Sequence, residues 1–180
     1  MTKRIVIVAG ENLDFCLLDK ERHLQDCLEW INTPSVNQYL SNIYNAVSEK
    51  DEEDWFNSLS SSDANNMVFA LETKAKKFNG TIGIHEINWT SRLAELGIMI
   101  GAQDEWGKGH ATEAEKMMLN YAFLALNLRK IVALIYKDNQ ASLRAAQKAG
   151  FQVEGGQKDH YFSQGKYHDL ILLAYFNPNL

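Results

Sequence analysis

The order of its segments predicts that this chain folds as an α+β domain, with helices packed on one open, mostly antiparallel sheet. Three observations carry this prediction. Apolar or alternating segments of strand length recur from one end of the chain to the other. Short polar turns join three of them in the middle, as in an antiparallel meander. Helical patterns then separate the remaining strands in the order strand, helix, strand, helix, strand, strand.

Composition and charge indicate a single ordinary globular domain spanning residues 1–180, of which 46% are hydrophobic and 23% charged. The net charge of -5 argues against nucleic-acid binding, and no run of about 18 apolar residues could cross a membrane. Residues 1–9 resemble a signal peptide only superficially, because the apolar stretch is short and Glu11 follows it. We therefore expect a cytoplasmic protein. Cys16 and Cys27 are too few for a metal site or a disulfide framework, so no metal is expected.

Two strands and a helix are predicted before the first proline. The strands cover residues 4–8 and 13–18, and we assign the second as the first strand of the sheet. The helix begins at Lys20 and ends near Asn32, because Pro34 disfavours helical conformation in the residue before it. Its apolar positions recur at helical spacing: Leu24, Cys27, Leu28 and Ile31.

Two further helices precede the central strands. Val36, Tyr39 and Leu40 suggest a short second helix. Ser48 and Asp51 form a variant of the capping box at the start of a third, whose first turns are acidic, as the helix dipole favours. We interpret this acidic cluster as a solvated helix start and not as a polyamine site.

Three strands then form a meander. Residues 67–73 and 81–87 flank a basic turn, and residues 88–92 turn the chain into a strand that runs from Glu95 to Ile100. The remaining elements are a long helix containing residues 114–126, a strand at 130–136, a helix at 141–149 and strands at 151–157 and 167–175.

A glycine-rich loop joins the third strand of the meander to the long helix. Gly107 and Gly109 have no Cβ and Ala111 has the smallest one, so this backbone can turn tightly and direct several N–H groups at one anion. The positive end of the helix dipole lies at the same place. This pattern is typical of a phosphate or pyrophosphate site.

Two common phosphate loops do not match the spacing. A P-loop has Ser or Thr after Gly-Lys, whereas Gly109 follows Lys108. A Rossmann loop has a third glycine where Thr112 stands, and its sheet is parallel.

The same loop resembles motif A of the GNAT N-acetyltransferases, Gln/Arg-x-x-Gly-x-Gly/Ala, with Trp106 in the first position. Residues 139–151 resemble motif B of that family, in which Asn139 can cap a short helix and Gly150 can end it. Two further segments, residues 30–36 and 165–169, also match, so the resemblance covers nearly the whole chain. Trp106 is a departure that the ribosomal-protein, or Rim-type, branch often shows, and spermidine N-acetyltransferases are also similar.

The resemblance implies a GNAT fold: a twisted, mixed and mostly antiparallel sheet with a splayed fourth strand and helices on both faces. It also implies direct transfer of acetyl from acetyl-CoA, as co-substrate, to an amine. In this family the splayed strand binds the thioester and pantetheine, and the glycine loop binds the pyrophosphate. The residues implied in cofactor binding are Ile98, Met99, Ile100, Trp106, Gly107, Lys108, Gly109, His110, Ala111, Thr112, Asn139, Ser142 and Lys148.

A base is needed, because an amine with a pKa of about 10.4 must lose a proton before it attacks. Glu95 is our first choice, since it starts the splayed strand and matches a glutamate that many relatives carry there. Glu86 is the second, because alternation with Ile82 and Ile84 predicts a partly buried face for it. We regard His85 as incidental, and His110 likewise.

The sequence leaves two alternatives for the general acid. In many relatives a tyrosine two residues before the lysine of motif B meets the departing thiolate, and here Ala146 stands two residues before Lys148. Tyr136, at the end of a strand, is a substitute. Turnover without an acid is the alternative, since a thiol with a pKa of about 8.5 is a fair leaving group.

The acceptor amine is left open between a protein N-terminus and a small molecule. Against spermidine, the acidic polyamine-binding residues of those relatives are replaced by residues 40–44, and their catalytic tyrosine is replaced by Ala146. A GNAT-like module that binds acetyl-CoA without turnover is a third reading. The sequence also leaves open whether the protein forms a homodimer.

Overall fold

The computed structural model describes residues 3–40, 46–59 and 65–179, and its strands form one sheet. The strands are β1 (Val6–Ala9), β2 (Leu13–Leu17), β3 (Met67–Thr73), β4 (Phe78–Asn88), β5 (Leu93–Ile100), β6 (Lys130–Tyr136), β7 (Gln152–Ser163) and β8 (Lys166–Phe176). Their order across the sheet is β1-β2-β3-β4-β5-β6-β8-β7. Neighbours are antiparallel except for the parallel pair β5 and β6.

The helices are α1 (Lys20–Ile31), α2 (Pro34–Asn37), α3 (Glu49–Ser58), α4 (His110–Leu124) and α5 (Gln140–Ala149), with a 3₁₀ turn at Gln103–Glu105. They cover both faces of the sheet. In β3, Leu71 belongs to the core under α4, whereas its neighbour Glu72 points to the opposite face and bonds His23 of α1. The predicted α+β class with helices on both faces is confirmed. Among the helices described here, none is long and apolar enough to cross a bilayer.

The larger core lies between the sheet and α4. Residues spaced three or four apart along α4 are buried there, namely Ala114, Met118, Leu119, Ala122 and Phe123. They pack on strand residues that alternate with polar ones, including Leu13, Phe15, Leu71, Ile82 and Ile84. This packing sets the height of the α4 N-terminus above the sheet, and Glu113 secures it by accepting the backbone N–H of Asn12 at 2.7 Å.

The first strand of the sheet differs from the prediction. We assigned residues 13–18, but β1 also joins the sheet, as an edge strand in which Val6 pairs with Cys16. Arg4 holds this edge in place, because its guanidinium donates to Asp14 at 2.7 Å and to Glu72 at 2.6 Å. Pairing between ionic side chains far apart in the sequence is invisible to a hydrophobic pattern.

Several boundaries also differ. β4 begins at Phe78 and not at Thr81, and the last two strands form a longer hairpin that turns at Gln164 and Gly165. Both residues of this turn have positive φ, 52° and 78°, which suits a two-residue hairpin turn. Most of the extra hairpin residues are exposed, and the aromatic residues Tyr161 and Phe162 are adjacent, so no apolar alternation indicated a strand there. The second helix is short, as predicted, but ends before Tyr39.

Strands β5 and β6 diverge along their length. β5 pairs with β4 from Leu93 to Ile100, but with β6 only from Leu93 to Glu95. Beyond Glu95 the edge of β5 that faces β6 is unpaired in the part of the sheet described here. The splay implied by the resemblance is therefore present, in the fifth strand of this chain because β1 adds one strand at the edge.

Candidate active site

A cavity of about 610 Å³ opens where β5 and β6 separate. This volume suits a cofactor-sized ligand. Residues 95–100 and 133–136 form its two walls, α4 and α5 contribute their first turns, and residues between 35 and 40 form the roof. The predicted site residues that line it are Glu95, Ile98, Met99, Ile100, Trp106, Gly107, Gly109, His110, Ala111, Thr112, Tyr136, Asn139, Ser142 and Lys148. Residues far apart in the sequence thus meet at one place.

The start of α4 is built to receive an anion. Gly107 and Gly109 have φ of 77° and 87°, in the left-handed region that favours glycine. Gly109 is the N-cap of α4, and within the described residues no side chain caps this end. The N–H groups of the first turn, together with the positive end of the helix dipole, are therefore available to a ligand in the cavity.

Glu105 organises the side chains around this loop. Its carboxylate lies 3.1 Å from Lys108 Nζ, 3.1 Å from His110 Nε2 and 3.2 Å from Lys77 Nζ. The first of these cations, Lys108, and then Lys77 lower the pKa of Glu105 to about 2. Lys108, predicted to contact the cofactor, is instead turned towards Glu105 and does not line the cavity.

Trp106 ties the loop to the splayed strand. Its indole Nε1 donates to the backbone oxygen of Ile100 at 2.7 Å. This bond occupies the oxygen at the far end of β5 and holds the loop against the cavity wall. On the other side of β5, the indole of Trp30 packs over Gly101, where a Cβ would come within 1.9 Å of the ring. The position of β5 therefore depends on two tryptophans from separate segments.

Helix α5 begins as predicted. The Asn139 side chain accepts from the backbone N–H of Ser142 at 3.1 Å, and Gly150 ends the helix in the left-handed conformation with a φ of 112°. Thr112 of α4 donates from Oγ1 to the Ala145 oxygen of α5 at 3.4 Å. The first turn of α4 thus contacts the middle of α5 beside the cavity.

Glu95 stands where β5 leaves β6. It is the last residue paired between the two strands, and its side chain lines the cavity half-buried. Burial raises the pKa of Glu95, and the nearby negative charge of Glu86 raises it further. A carboxyl group with a raised pKa in a cleft suits a general base.

The second candidate base is placed differently from the prediction. Glu86 has a φ of 51° and lies in a bulge, because the register of β4 and β5 shifts between His85 and Asn88. The bulge breaks the alternation, so Glu86 is exposed and Ile87 is buried in its place. The partly buried face predicted for Glu86 was wrong. His85 lies over Gly97, whose added Cβ would be 3.2 Å from its Nε2, and burial lowers the pKa of His85.

Tyr136 lines the cavity within an aromatic cluster. Its ring centroid is 5.7 Å from that of Tyr39 and 5.5 Å from that of His168. The Tyr39 hydroxyl donates to the backbone oxygen of Asp138 at 3.4 Å, so the roof contacts the residues that follow β6. Ala146, by contrast, is 1% exposed and packs in the core. A tyrosine at position 146 would have to enter that core or displace its neighbours.

Sequence reasoning missed several contributors to this site, including Glu105. The roof residues Ser35 and Gln38 carry no chemical pattern of their own. Glu115 lines the cavity and is 1% exposed, and burial raises its pKa to about 8. A signal for it existed, because a carboxylate at this position interrupts the buried stripe of α4. Within the described ranges, no group of three or more His, Cys, Asp or Glu side chains is arranged to hold a metal.

Comparisons with known proteins agree with this geometry. A family model described as an acetyltransferase (GNAT) domain matches residues 16–152. A spermidine N(1)-acetyltransferase of Escherichia coli K12 is 35% identical over 108 residues, 60% of this chain and 57% of that protein. The aligned part thus spans little more than half of that relative's length. An uncharacterized N-acetyltransferase, p20, of Bacillus licheniformis is 29% identical over 150 residues, 82% of this chain and 83% of that protein.

Solved structures share this fold. A spermidine N-acetyltransferase from Vibrio cholerae, crystallised in complex with CoA and spermine, superposes with a TM-score of 0.84 at 26% sequence identity. The superposition covers 92% of this chain and 95% of that one. Since the family model also matches well over half of the residues, this chain belongs to the GNAT acetyltransferase family.

Proposed function

We propose that this protein is an acetyl-CoA-dependent N-acetyltransferase that transfers acetyl directly to a primary amine. The observation that carries the proposal is the cavity itself, which joins an uncapped helix N-terminus, an unpaired strand edge and a carboxyl group with a raised pKa. The names of its relatives, and the CoA in the Vibrio cholerae structure, support the same reading.

The residues present fit acetyl-CoA. The edge of β5 at residues 98–100, apart from the Ile100 oxygen bonded by Trp106, would pair with the pantetheine amides. The backbone N–H groups of residues 107–112 would hold the pyrophosphate. Asn139, Ser142 and Lys148 would flank the arm from α5. When bound, acetyl-CoA supplies a thioester as the acetyl donor. No metal is part of the proposal.

Glu95 would act as the general base. Its raised pKa makes it a better proton acceptor than an exposed glutamate, and it lies on the strand that would hold the thioester. A positioned base of this kind contributes roughly 10²- to 10⁴-fold to the rate. A backbone N–H at residues 98–100 would stabilise the charge that develops on the thioester oxygen.

Tyr136 is the proposed proton donor to the departing thiolate. It is buried, lines the cavity and comes from the strand opposite Glu95. Departure of the thiolate unprotonated is the alternative, because a thiol with a pKa of about 8.5 is a fair leaving group.

The roof favours one amine carried by an apolar or aromatic group. Val36, Tyr39 and Leu40 line the cavity there, and Glu95 is the carboxylate on the facing wall. A polyamine with several positive charges would need several carboxylates, and none of the described roof residues that line the cavity is acidic. We therefore favour a protein N-terminus or a small monoamine as acceptor. Residues 41–44, part of the segment weighed against spermidine, lie outside the described residues.

Spermidine is the second candidate, because relatives with that named activity align with this chain. A module that binds acetyl-CoA without turnover is the third. The proposal further includes a single cytoplasmic domain of the Rim-type branch, binding neither nucleic acid nor membrane. Whether it forms a homodimer is measured by light scattering of the purified protein.

The test is release of free CoA from acetyl-CoA with a panel of amines: a peptide with a free N-terminus, an amino-sugar and spermidine. We expect turnover of about 1 per second or more on one of the first two. Spermidine as the best substrate would support the second candidate. Silence with every amine, in a protein that binds CoA, would leave the non-catalytic module.

A further inference from the structure

Glu115 is a buried carboxyl group that the proposed chemistry does not use. It lies one turn beyond Ala111 on the same side of α4, about 6 Å further along the helix axis. Its side chain is 1% exposed and lines the cavity. Its Oε2 is buried and has no hydrogen-bond partner within the part of the chain described. A buried polar atom without a partner requires an explanation.

A structural ion pair does not explain why the Glu115 carboxyl group is buried. Burial is the cause of its raised pKa, and no cation among the described residues offsets that effect. The basic residues of α5 that line the same cavity, Arg144 and Lys148, form no ion pair with it. At neutral pH Glu115 is therefore largely protonated, and a neutral carboxyl group carries one O–H donor.

The position of Glu115 matches the path that a bound cofactor would follow. The N-terminus of α4 lies at one end of the cavity and Glu95 lies on β5, where the thioester would react. Between the pyrophosphate and the thioester, CoA carries an arm with two amide groups, whose carbonyls need hydrogen-bond donors when they leave water.

We propose that neutral Glu115 donates a hydrogen bond to an amide carbonyl of the pantetheine arm. This inference rests on the proposed function, because it assumes that the cavity holds CoA. It assigns Glu115 to cofactor binding and not to the chemical step.

The experiment is titration calorimetry at pH 7 with two probes. Desulfo-CoA keeps the pantetheine arm but lacks the thiol, and adenosine 3′,5′-bisphosphate lacks the arm. We expect Glu115→Leu to weaken desulfo-CoA binding roughly two- to tenfold, the range for one hydrogen bond. Binding of the bisphosphate should stay the same. Glu115→Gln keeps an N–H donor and should bind desulfo-CoA within about twofold of the wild type.

Glu52 supplies the matched control. It is also buried with a pKa raised by burial, but it lies on α3 and does not line the cavity. We expect Glu52→Gln to leave the affinity for both probes unchanged.

The pH dependence sharpens the test. Between pH 7 and 9 the wild type should lose affinity for desulfo-CoA as Glu115 ionises, whereas Glu115→Gln should not show that loss. The other acidic and tyrosine side chains lining the cavity are Tyr39, Glu95, Glu105 and Tyr136. The basic ones are His110, Arg144 and Lys148. All seven are common to both proteins, so the difference between them isolates Glu115.

Two results would overturn the inference. One is a Glu115→Leu protein that binds desulfo-CoA as tightly as the wild type at pH 7. The other is a variant that weakens both probes equally, because that pattern indicates a distorted cavity. Failure of the wild type to bind desulfo-CoA would instead overturn the proposed function, and this inference with it.

Discussion

The two ends of the cavity treat a carboxyl group in opposite ways. At the outer end Glu105 is surrounded by Lys77, Lys108 and His110, and its pKa falls to about 2. At the inner end Glu115 is buried without a cation, and its pKa rises to about 8. The same functional group is thus permanently ionised in one place and mostly neutral in the other.

The difference reflects what each end can solvate. Water, lysines and uncapped N–H groups stabilise negative charge at the glycine loop, so this end suits phosphates. The inner end lacks such partners, so charge is unfavourable there and neutral hydrogen-bonding groups are preferred. Glu95 is intermediate in burial, being half-buried with a raised pKa, although it lies beyond Glu115 along the proposed path of the cofactor. Substitutions at Glu95, Glu115, Gly109 and Glu105 test this difference.

The largest effect is expected at Glu95. Glu95→Gln should lower the acetylation rate roughly 10²- to 10⁴-fold, because the amide is isosteric but cannot accept a proton, while CoA affinity changes little. In the wild type, kcat/KM should fall as the pH drops through the pKa of Glu95, which lies above the ordinary value of 4.5. Steady-state kinetics across pH, beside calorimetry, measures both. A fully active Glu95→Gln protein would move the base to Glu86 or to water.

At the inner end, Glu115→Gln should stabilise the protein in a pH-dependent way. The folded state of the wild type keeps its proton up to a pH of about 8, whereas the unfolded chain releases it near 4.5, so wild-type stability falls across that window. At about 1.4 kcal/mol per pH unit, the free energy of unfolding of Glu115→Gln should exceed that of the wild type by up to about 5 kcal/mol at pH 8. This difference should vanish near pH 4.5.

Urea unfolding at several pH values measures this advantage. Glu52→Gln should show a difference of the same sign, because burial raises the pKa of Glu52 as well. A constant difference between wild type and Glu115→Gln from pH 5 to pH 8 would contradict the neutral state assigned to this end of the cavity.

At the outer end, Gly109→Val should weaken CoA binding by more than tenfold, about 1.4 kcal/mol. A Cβ at Gly109 meets no described atom within 4 Å, but its φ of 87° is strained for a β-branched residue. The loop would therefore move and withdraw its N–H groups from the anion. Gly155→Val is the matched control, since Gly155 has the same open surroundings without a left-handed φ. If calorimetry shows equal affinities of Gly109→Val and the wild type for CoA, the loop is not part of the binding site.

The smallest effect is expected at Glu105. Glu105→Gln removes a negative charge beside the anion site and frees Lys108, so adenosine 3′,5′-bisphosphate should bind up to about fivefold more tightly at low salt, and less so at high salt. Asp54→Asn, which breaks an exposed ion pair with Lys50 on α3, should leave binding unchanged. Weaker binding by Glu105→Gln would mean that Glu105 mainly holds the loop in shape.

Local rules predicted the parts of this site that depend on local chemistry. Helix α5 begins at the cap Asn139 and ends at Gly150 as expected, because capping and left-handed termination involve residues a few positions apart. Ser48 and Asp51 form their reciprocal capping box for the same reason. Gly107 and Gly109 both have positive φ, as a tight anion-binding loop requires.

The misplaced features depend on contacts between distant segments. Alternation along β4 predicted a partly buried Glu86, but a bulge against β5 exposed it. Many relatives carry a tyrosine beside the thiolate at the position of Ala146, yet Ala146 packs into the core. Lys108 was expected near the anion, but Glu105 engages it. A period-two or helical pattern cannot register a bulge or a competing ion pair.

By itself, the sequence determined the order of the elements, the glycine loop before α4 and the caps of α5, because turn chemistry and periodicity act over a few residues. Only the tertiary structure decided that β5 leaves β6 after Glu95, that the opened gap is roofed by residues near α2, and that Glu115 is buried in it. The physical reason is that burial, and the pKa it raises, depends on which distant segments exclude water from a side chain.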